Sequence, residues 1–212
     1  MGWWIMSEAT GSGRGGITRR GFLTGSGLAA AAASRWTADV AAEQAPAGRD
    51  AAVAFGPGPV RIELLVNGQK LITQVEPRVT LLDALRNYLD VTGCKRVCDR
   101  GTCGACTVMV DGRPVYSCTL LALEARGKDI RTAESLAAGD RLDPVPQAFV
   151  RCDAQQCGFC TPGFVVALRA ALDKNPQATE AELEAAVAGN ICRCGTYEQM
   201  RQAIAQLVRK GG

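Results

Sequence analysis

Ten cysteines and no histidine occur among the 212 residues of this chain, and eight of the cysteines fall into two groups whose spacing suits metal chemistry. The first group, Cys98, Cys103, Cys106 and Cys118, stands in CDRGTCGACTVMVDGRPVYSC with the pattern C-x4-C-x2-C-x11-C. That is the plant-type spacing for a 2Fe–2S cluster, with a zinc site as the alternative use of four thiols. The second group joins Cys157 and Cys160, in QCGFCTPG, to Cys192 and Cys194, in NICRCGTY. A C-x2-C pair by itself serves redox dithiols, haem attachment, zinc sites and iron–sulfur sites. Thr161 rather than His follows Cys160, which excludes haem attachment. The lack of imidazole also excludes a Ser-His-Asp or Cys-His catalytic arrangement, a Rieske centre and a zinc site of two cysteines and two histidines. A thioredoxin-like dithiol would follow a strand of a βαβ unit and would need no second pair. All-thiolate chemistry remains, and for the second group the spacing alone leaves both iron–sulfur and zinc open.

The elements that must carry these groups differ in kind. VRIELLVNGQKLITQVEP alternates apolar and polar residues about Asn67-Gly68, and ACTVMVDGRPVYSC does the same about Asp111-Gly112, so each predicts a hairpin. Between them TLLDALRNYLD predicts a helix capped by Thr80. Gly101 and Gly104 suit a loop that wraps closely around an anionic centre and turns backbone N–H groups toward sulfur. Beyond residue 132 the pattern becomes helical. A short helix is expected near 145–151, a longer one capped by Thr161 with Pro162 at its first position, one opened by a Thr179/Glu182 capping box and closed by Gly189, and a last one opened by Thr196 and Gln199. Each second-group pair then lies just before a helix, where the dipole favours thiolate.

The N-terminal portion reads as an address. TRRGFL at 18–23 precedes the Ala-rich run GLAAAAAS, which resembles a twin-arginine export signal with small residues about Ala42 or Ala47 for cleavage; translation starts at Met1 or Met6. The apolar run is too short and weak to span a bilayer. The expected organisation is an export signal at 1–47, a Pro/Gly-rich linker at 48–59, a domain of two hairpins and a helix at 60–132 and a helical domain at 133–212. Cysteine-rich exported chains ordinarily carry disulfides, but a route that carries folded, cofactor-loaded proteins lets thiolates be occupied beforehand. The net charge of +3 and the absence of a basic run speak against nucleic acid as a partner.

GTCGACTV, QCGFCTPG and NICRCGTY, in this order, closely resemble the small iron–sulfur subunit of the xanthine oxidase family of molybdenum hydroxylases, and the resemblance covers residues 60–210. It implies an α+β chain, a β-grasp ferredoxin-like domain followed by a four-helix bundle, with one 2Fe–2S cluster in each. The implied ligands are Cys98, Cys103, Cys106 and Cys118 for the first and Cys157, Cys160, Cys192 and Cys194 for the second. Gln156 and Cys194 match positions that contact a molybdopterin cofactor. The implied partners are a large subunit holding that cofactor and a medium subunit holding FAD, or a cytochrome subunit in its place. The expected function is electron transfer from the pterin through both clusters to the acceptor, in the periplasm and in aldehyde oxidation. A small subunit of an N-heterocycle hydroxylase of the isoquinoline or nicotinate type, or a stand-alone ferredoxin carrier, is the alternative. No catalytic residue is expected on this chain, and Cys94 and Cys152 read as thiols outside both groups.

Overall fold

A computed structural model describes residues 55–139 and 141–210, which lie in one compact unit. The proposed export signal and most of the linker lie outside the described residues. Strand β1 (Val60–Val66) turns back into β2 (Gln69–Val75), with Val60 opposite Val75 and Val66 opposite Gln69. Asn67 and Gly68 both have positive φ, as the tight turn between right-twisted strands requires. Asp111 and Gly112 repeat this between β3 (Thr107–Val110) and β4 (Arg113–Tyr116). A short strand β5 (Asp129–Arg131) completes a five-stranded sheet of order β2-β1-β5-β3-β4, in which only the β1–β5 pairing is parallel.

Thr80 caps the next helix as expected, its hydroxyl accepting from the Asp83 N–H at 3.1 Å. The helix itself departs from expectation. Only Leu81–Asp83 (α1) is α-helical, and Ala84–Tyr88 widens to π-helical geometry. Leu81, Leu82 and Leu85 are pressed against Ile62, Leu64, Val108 and Ile130 in the first core, so burial of the apolar face rather than ideal hydrogen bonding sets its course. Arg86 then reaches Thr92 O at 2.8 Å and Cys94 O at 2.9 Å, fastening the start of the cysteine loop to this helix.

A small hairpin of β6 (Ala137–Ala138) and β7 (Arg141–Leu142) leads into four helices: α2 (Pro144–Arg151), α3 (Thr161–Lys174), α4 (Glu180–Ala186) and α5 (Tyr197–Lys210). Phe149, Phe164, Leu168, Leu183, Met200 and Ile204 share a second core drawn from all four. The Thr179/Glu182 capping box is formed. Two expected helix ends differ. Helix α3 begins at Thr161 with Cys160 in the capping position, and α4 ends at Ala186, three residues before Gly189. No helix among the described residues is long and apolar enough to cross a membrane.

The two cores are joined through β3. All four of its residues are buried, because Val108 and Val110 face the first core while Met109 packs on Val166 and Ala170 of α3. A strand covered on both faces must be apolar throughout, and TVMV is apolar apart from one threonine. An ion pair of Arg131 with Asp173 at 3.4 Å crosses the same seam at its partly exposed edge, while Arg169 holds Asp173 at 2.9 Å along α3; such pairs contribute little.

Candidate metal centres

The loop from Cys94 to Cys106 and the end of β4 bring the first four thiols together. Their burial is graded: Cys106 and Cys118 are inside at 3% and 7% exposure, while Cys98 and Cys103 are half-buried. Backbone amides face the sulfurs, Gly101 N–H toward Cys118 Sγ at 3.2 Å and Thr102 N–H toward Cys98 Sγ at 3.4 Å. The inner thiols are tethered through backbone, since Ser117 donates from its hydroxyl to Cys106 O at 2.7 Å. Charge preference follows the same gradient. The Arg100 N–H, helped by the Thr102 N–H and by Cys103, brings Cys98 down to about 6, whereas burial pushes Cys106 up to about 12.

The second four thiols come from two turns far apart in sequence. Cys157 and Cys160 precede α3; Cys192 and Cys194 precede α5. Folding sets Cys194 Sγ 3.4 Å from Cys157 Sγ, both exposed, above the buried pair Cys160 and Cys192. The Thr196 hydroxyl, expected to cap α5, lies 3.2 Å from Cys192 Sγ, and the Tyr197 hydroxyl accepts from the Cys192 N–H at 2.8 Å. Burial acts to raise Cys192, yet hydrogen bonds from Thr196, Cys160 and the Gly195 backbone carry it down to about 7. Burial pushes Cys160 up to about 12. At the rim, the Phe159 N–H lowers Cys157. A metal centre in either group would hold its cysteine ligands as thiolates.

The thiols meet as an outer and an inner pair in each group, and four thiolates divided between two irons fit that arrangement. Amides directed at sulfur further suit an anionic centre. Thr161 Oγ1, next to Cys160, is buried with no hydrogen-bond partner among the described residues.

Gln156 is exposed beside Cys157, on the same rim as exposed Cys194. Cys94 and Cys152 are free thiols outside both groups, the former buried and pushed up to about 11 chiefly by that burial. Sequence reasoning missed Thr196 as a partner of Cys192. It also missed Asn190 and Tyr116, which reach between the two loops. Only their adjacency to cysteine marked them in the sequence.

Comparison with known proteins agrees with this division. Residues 64–138 match the 2Fe-2S iron-sulfur cluster binding domain family, and residues 132–205 match a separate 2Fe-2S binding domain family. The chain is therefore a tandem of iron–sulfur domains of the electron-transfer class. It is 44% identical over 145 residues to the nicotine 6-hydroxylase small subunit of Paenarthrobacter nicotinovorans, covering 68% of this chain and 87% of that one. It is 37% identical over 203 residues to the aldehyde oxidoreductase iron-sulfur-binding subunit PaoA of Escherichia coli O157:H7, covering 89% and 86%. Its structure matches quinoline 2-oxidoreductase from Pseudomonas putida 86 with a TM-score of 0.67 and 40% identity, over 72% of this chain and 98% of that one. The chain belongs to the small iron–sulfur subunits of the xanthine oxidase family of molybdenum hydroxylases, and its place is in a multi-subunit oxidoreductase whose substrate is turned over on a partner subunit.

Proposed function

We propose that this chain passes electrons from a molybdopterin site on a large subunit to FAD on a medium subunit, or to a cytochrome subunit, in the oxidation of an aldehyde to a carboxylic acid. Cys98, Cys103, Cys106 and Cys118 hold one 2Fe–2S cluster and Cys157, Cys160, Cys192 and Cys194 the other; each cluster, when bound, accepts one electron at a time and so divides a two-electron oxidation into single transfers. The inner thiol pairs keep water away from one side of each centre, and the amides of Gly101 and Thr102 favour its charged state. Gln156 and Cys194 face the pterin, a reading supported by their exposure on one rim. The first domain runs to residue 132 and the second, its four helices forming a bundle, begins at 133. A twin-arginine leader at 1–47 sends the loaded chain to the periplasm.

One observation favours the aldehyde reading. The match to the Escherichia coli subunit covers 89% of the chain, which residues 55–212 cannot accommodate by themselves, so it extends into the segment before residue 55. The match to the nicotine relative covers 68%. That relative's higher identity keeps N-heterocycle hydroxylation as the second reading, whereas a stand-alone ferredoxin has no use for the helical half. The test is purification of the complex, with iron, sulfide and molybdenum analysis and turnover of aromatic aldehydes beside N-heterocycles. Aldehyde turnover and periplasmic recovery that is lost on replacing Arg19 and Arg20 by lysine support the proposal. Activity confined to N-heterocycles moves it to the second reading.

A further inference from the structure

The loops that carry the two cysteine groups are bonded to each other, and one buried side chain makes two of the hydrogen bonds of that junction. Asn190 is 6% exposed and donates through Nδ2 to Gly104 O at 2.9 Å and Thr107 Oγ1 at 3.3 Å. The Thr107 hydroxyl in turn donates to Gly104 O at 2.6 Å. The next amide, Ile191 N–H, donates to Cys103 O at 2.9 Å. Tyr116 closes the edge by donating from its hydroxyl to Gly189 O at 3.1 Å. The approach depends on missing side chains: a Cβ on Gly104 would lie 2.6 Å from Asn190 Nδ2 and 2.8 Å from Gly189 O, and one on Gly163 would strike Gly104 O.

These contacts leave a short bonded route between the groups. From Cys103 it runs through that residue's own carbonyl, across one hydrogen bond to the Ile191 amide, and along one peptide unit to Cys192. Electronic coupling falls steeply across gaps without bonds, so a single well-held hydrogen bond outweighs several longer jumps through space. The Ile191 side chain is 48% exposed, whereas Asn190 is buried and its amide would be left unsatisfied if the loops drew apart.

We propose that Asn190 is a positioning residue that sets the coupling between the two redox sites by holding the Ile191 N–H on Cys103 O. One electron leaves one site, which is oxidised, and enters the other, which is reduced; no covalent bond changes, and the partner's substrate oxidation supplies the electrons. The inference rests on the assignment of both cysteine groups as 2Fe–2S sites.

The test uses the complete iron-loaded complex, first as the unaltered protein. Two distinct S = 1/2 signals on dithionite reduction, magnetically split by one another, establish the two sites; their absence overturns the assignment and this inference together. Asn190→Ala is then compared with Thr107→Val, which removes only the hydroxyl shared by Asn190 and Gly104. With both signals and full iron retained, Asn190→Ala is expected to weaken the splitting, speed hydrogen exchange at the Ile191 amide and slow inter-site electron transfer several-fold. Thr107→Val is expected to shift all three the same way by less. Unchanged splitting and transfer in an iron-replete Asn190→Ala complex overturns the proposal. If Asn190→Ala loses iron, unaltered splitting and transfer in Thr107→Val overturns it equally.

Discussion

The two cysteine groups solve the same chemical problem with different kinds of chain. The first is local: its four thiols come from one loop and the hairpin that follows, over a span from Cys98 to Cys118, and a sheet covers their inner side. The second is assembled from two helix approaches separated by α3 and α4, and its outer pair, Cys157 and Cys194, is exposed where the outer pair of the first is half-buried. Locality gives the first group its shape from backbone turns, whereas the second depends on the helical core to bring its halves together. Burial leaves the outer pair of the second group at the surface of the chain.

The comparison breaks most sharply on ligand removal. In the intact complex, Cys106→Ser should abolish one S = 1/2 signal and half the iron, and Cys160→Ser the other, each leaving its counterpart in place. Turnover with the natural acceptor should fall in both by at least the roughly 100-fold that loss of even an outer partner of a metal site costs. Iron analysis and EPR on the same samples decide it; loss of both signals from Cys160→Ser would mean that the sites do not form independently.

Thiol reactivity sharpens the contrast between outer and inner positions. In the chain stripped of iron, at pH 7, iodoacetamide should modify Cys98 before Cys106, whose values of about 6 and about 12 correspond to thiolate fractions that differ by roughly 10⁵. Within the buried pair of the second group, where hydrogen bonds rather than exposure make the difference, Cys192, at about 7, should precede Cys160, at about 12, with buried Cys94 also slow. Cys98 labelling should decline only as pH falls through about 6. Peptide mass spectrometry with time reads the order, and equal rates for Cys98 and Cys106 would contradict the gradient.

Two glycines test whether the junction or the loops carry the strain. Gly104 has φ +69 and is hemmed in by Asn190 and Gly189, while Gly158 has φ +79 with only the Gln155 side chain 4.0 Å from a Cβ. Gly158→Ala should cost about 1 kcal/mol from backbone conformation alone. Gly104→Ala should cost about 2–3 kcal/mol and lower the melting temperature of the complex correspondingly more. Equal shifts in calorimetry would show that the junction yields.

The smallest effects lie at the cap of α4. Thr179→Ala should cost about 1 kcal/mol. The Thr179 N–H and then its hydroxyl hold the Glu182 carboxyl below the usual range. A carboxyl lowered on folding adds stability above its unfolded value, and that contribution disappears as pH falls through the lowered folded value. Glu182→Gln should therefore flatten the acid side of a stability–pH profile and change nothing in its direction near neutrality. A steeper acid limb would contradict the capping geometry.

Much of the fold was legible because local chemistry settles it. Asn67-Gly68 and Asp111-Gly112 specify tight turns whatever surrounds them, and both hairpins stand where those pairs place them. Thr80 and the Thr179/Glu182 box behave likewise. The failures lie where packing competes with local preference. The first helix widens because three leucines are held to one core, α3 starts at Thr161 with Cys160 before it, and Gly189 serves close approach to Tyr116 rather than a helix end.

Composition and spacing by themselves pointed to thiolate ligands: no imidazole is available, eight cysteines fall in two groups, and the first group's span is short enough to close through its own turns. Only the tertiary structure decided that Cys157 meets Cys194, that one pair of thiols in each group is buried beneath the other, and that Asn190 ties the two loops together. Turn and cap preferences act over a few residues, whereas those contacts join positions 37 to 86 residues apart, and the burial of a shared core is what brings such distant segments within bonding distance.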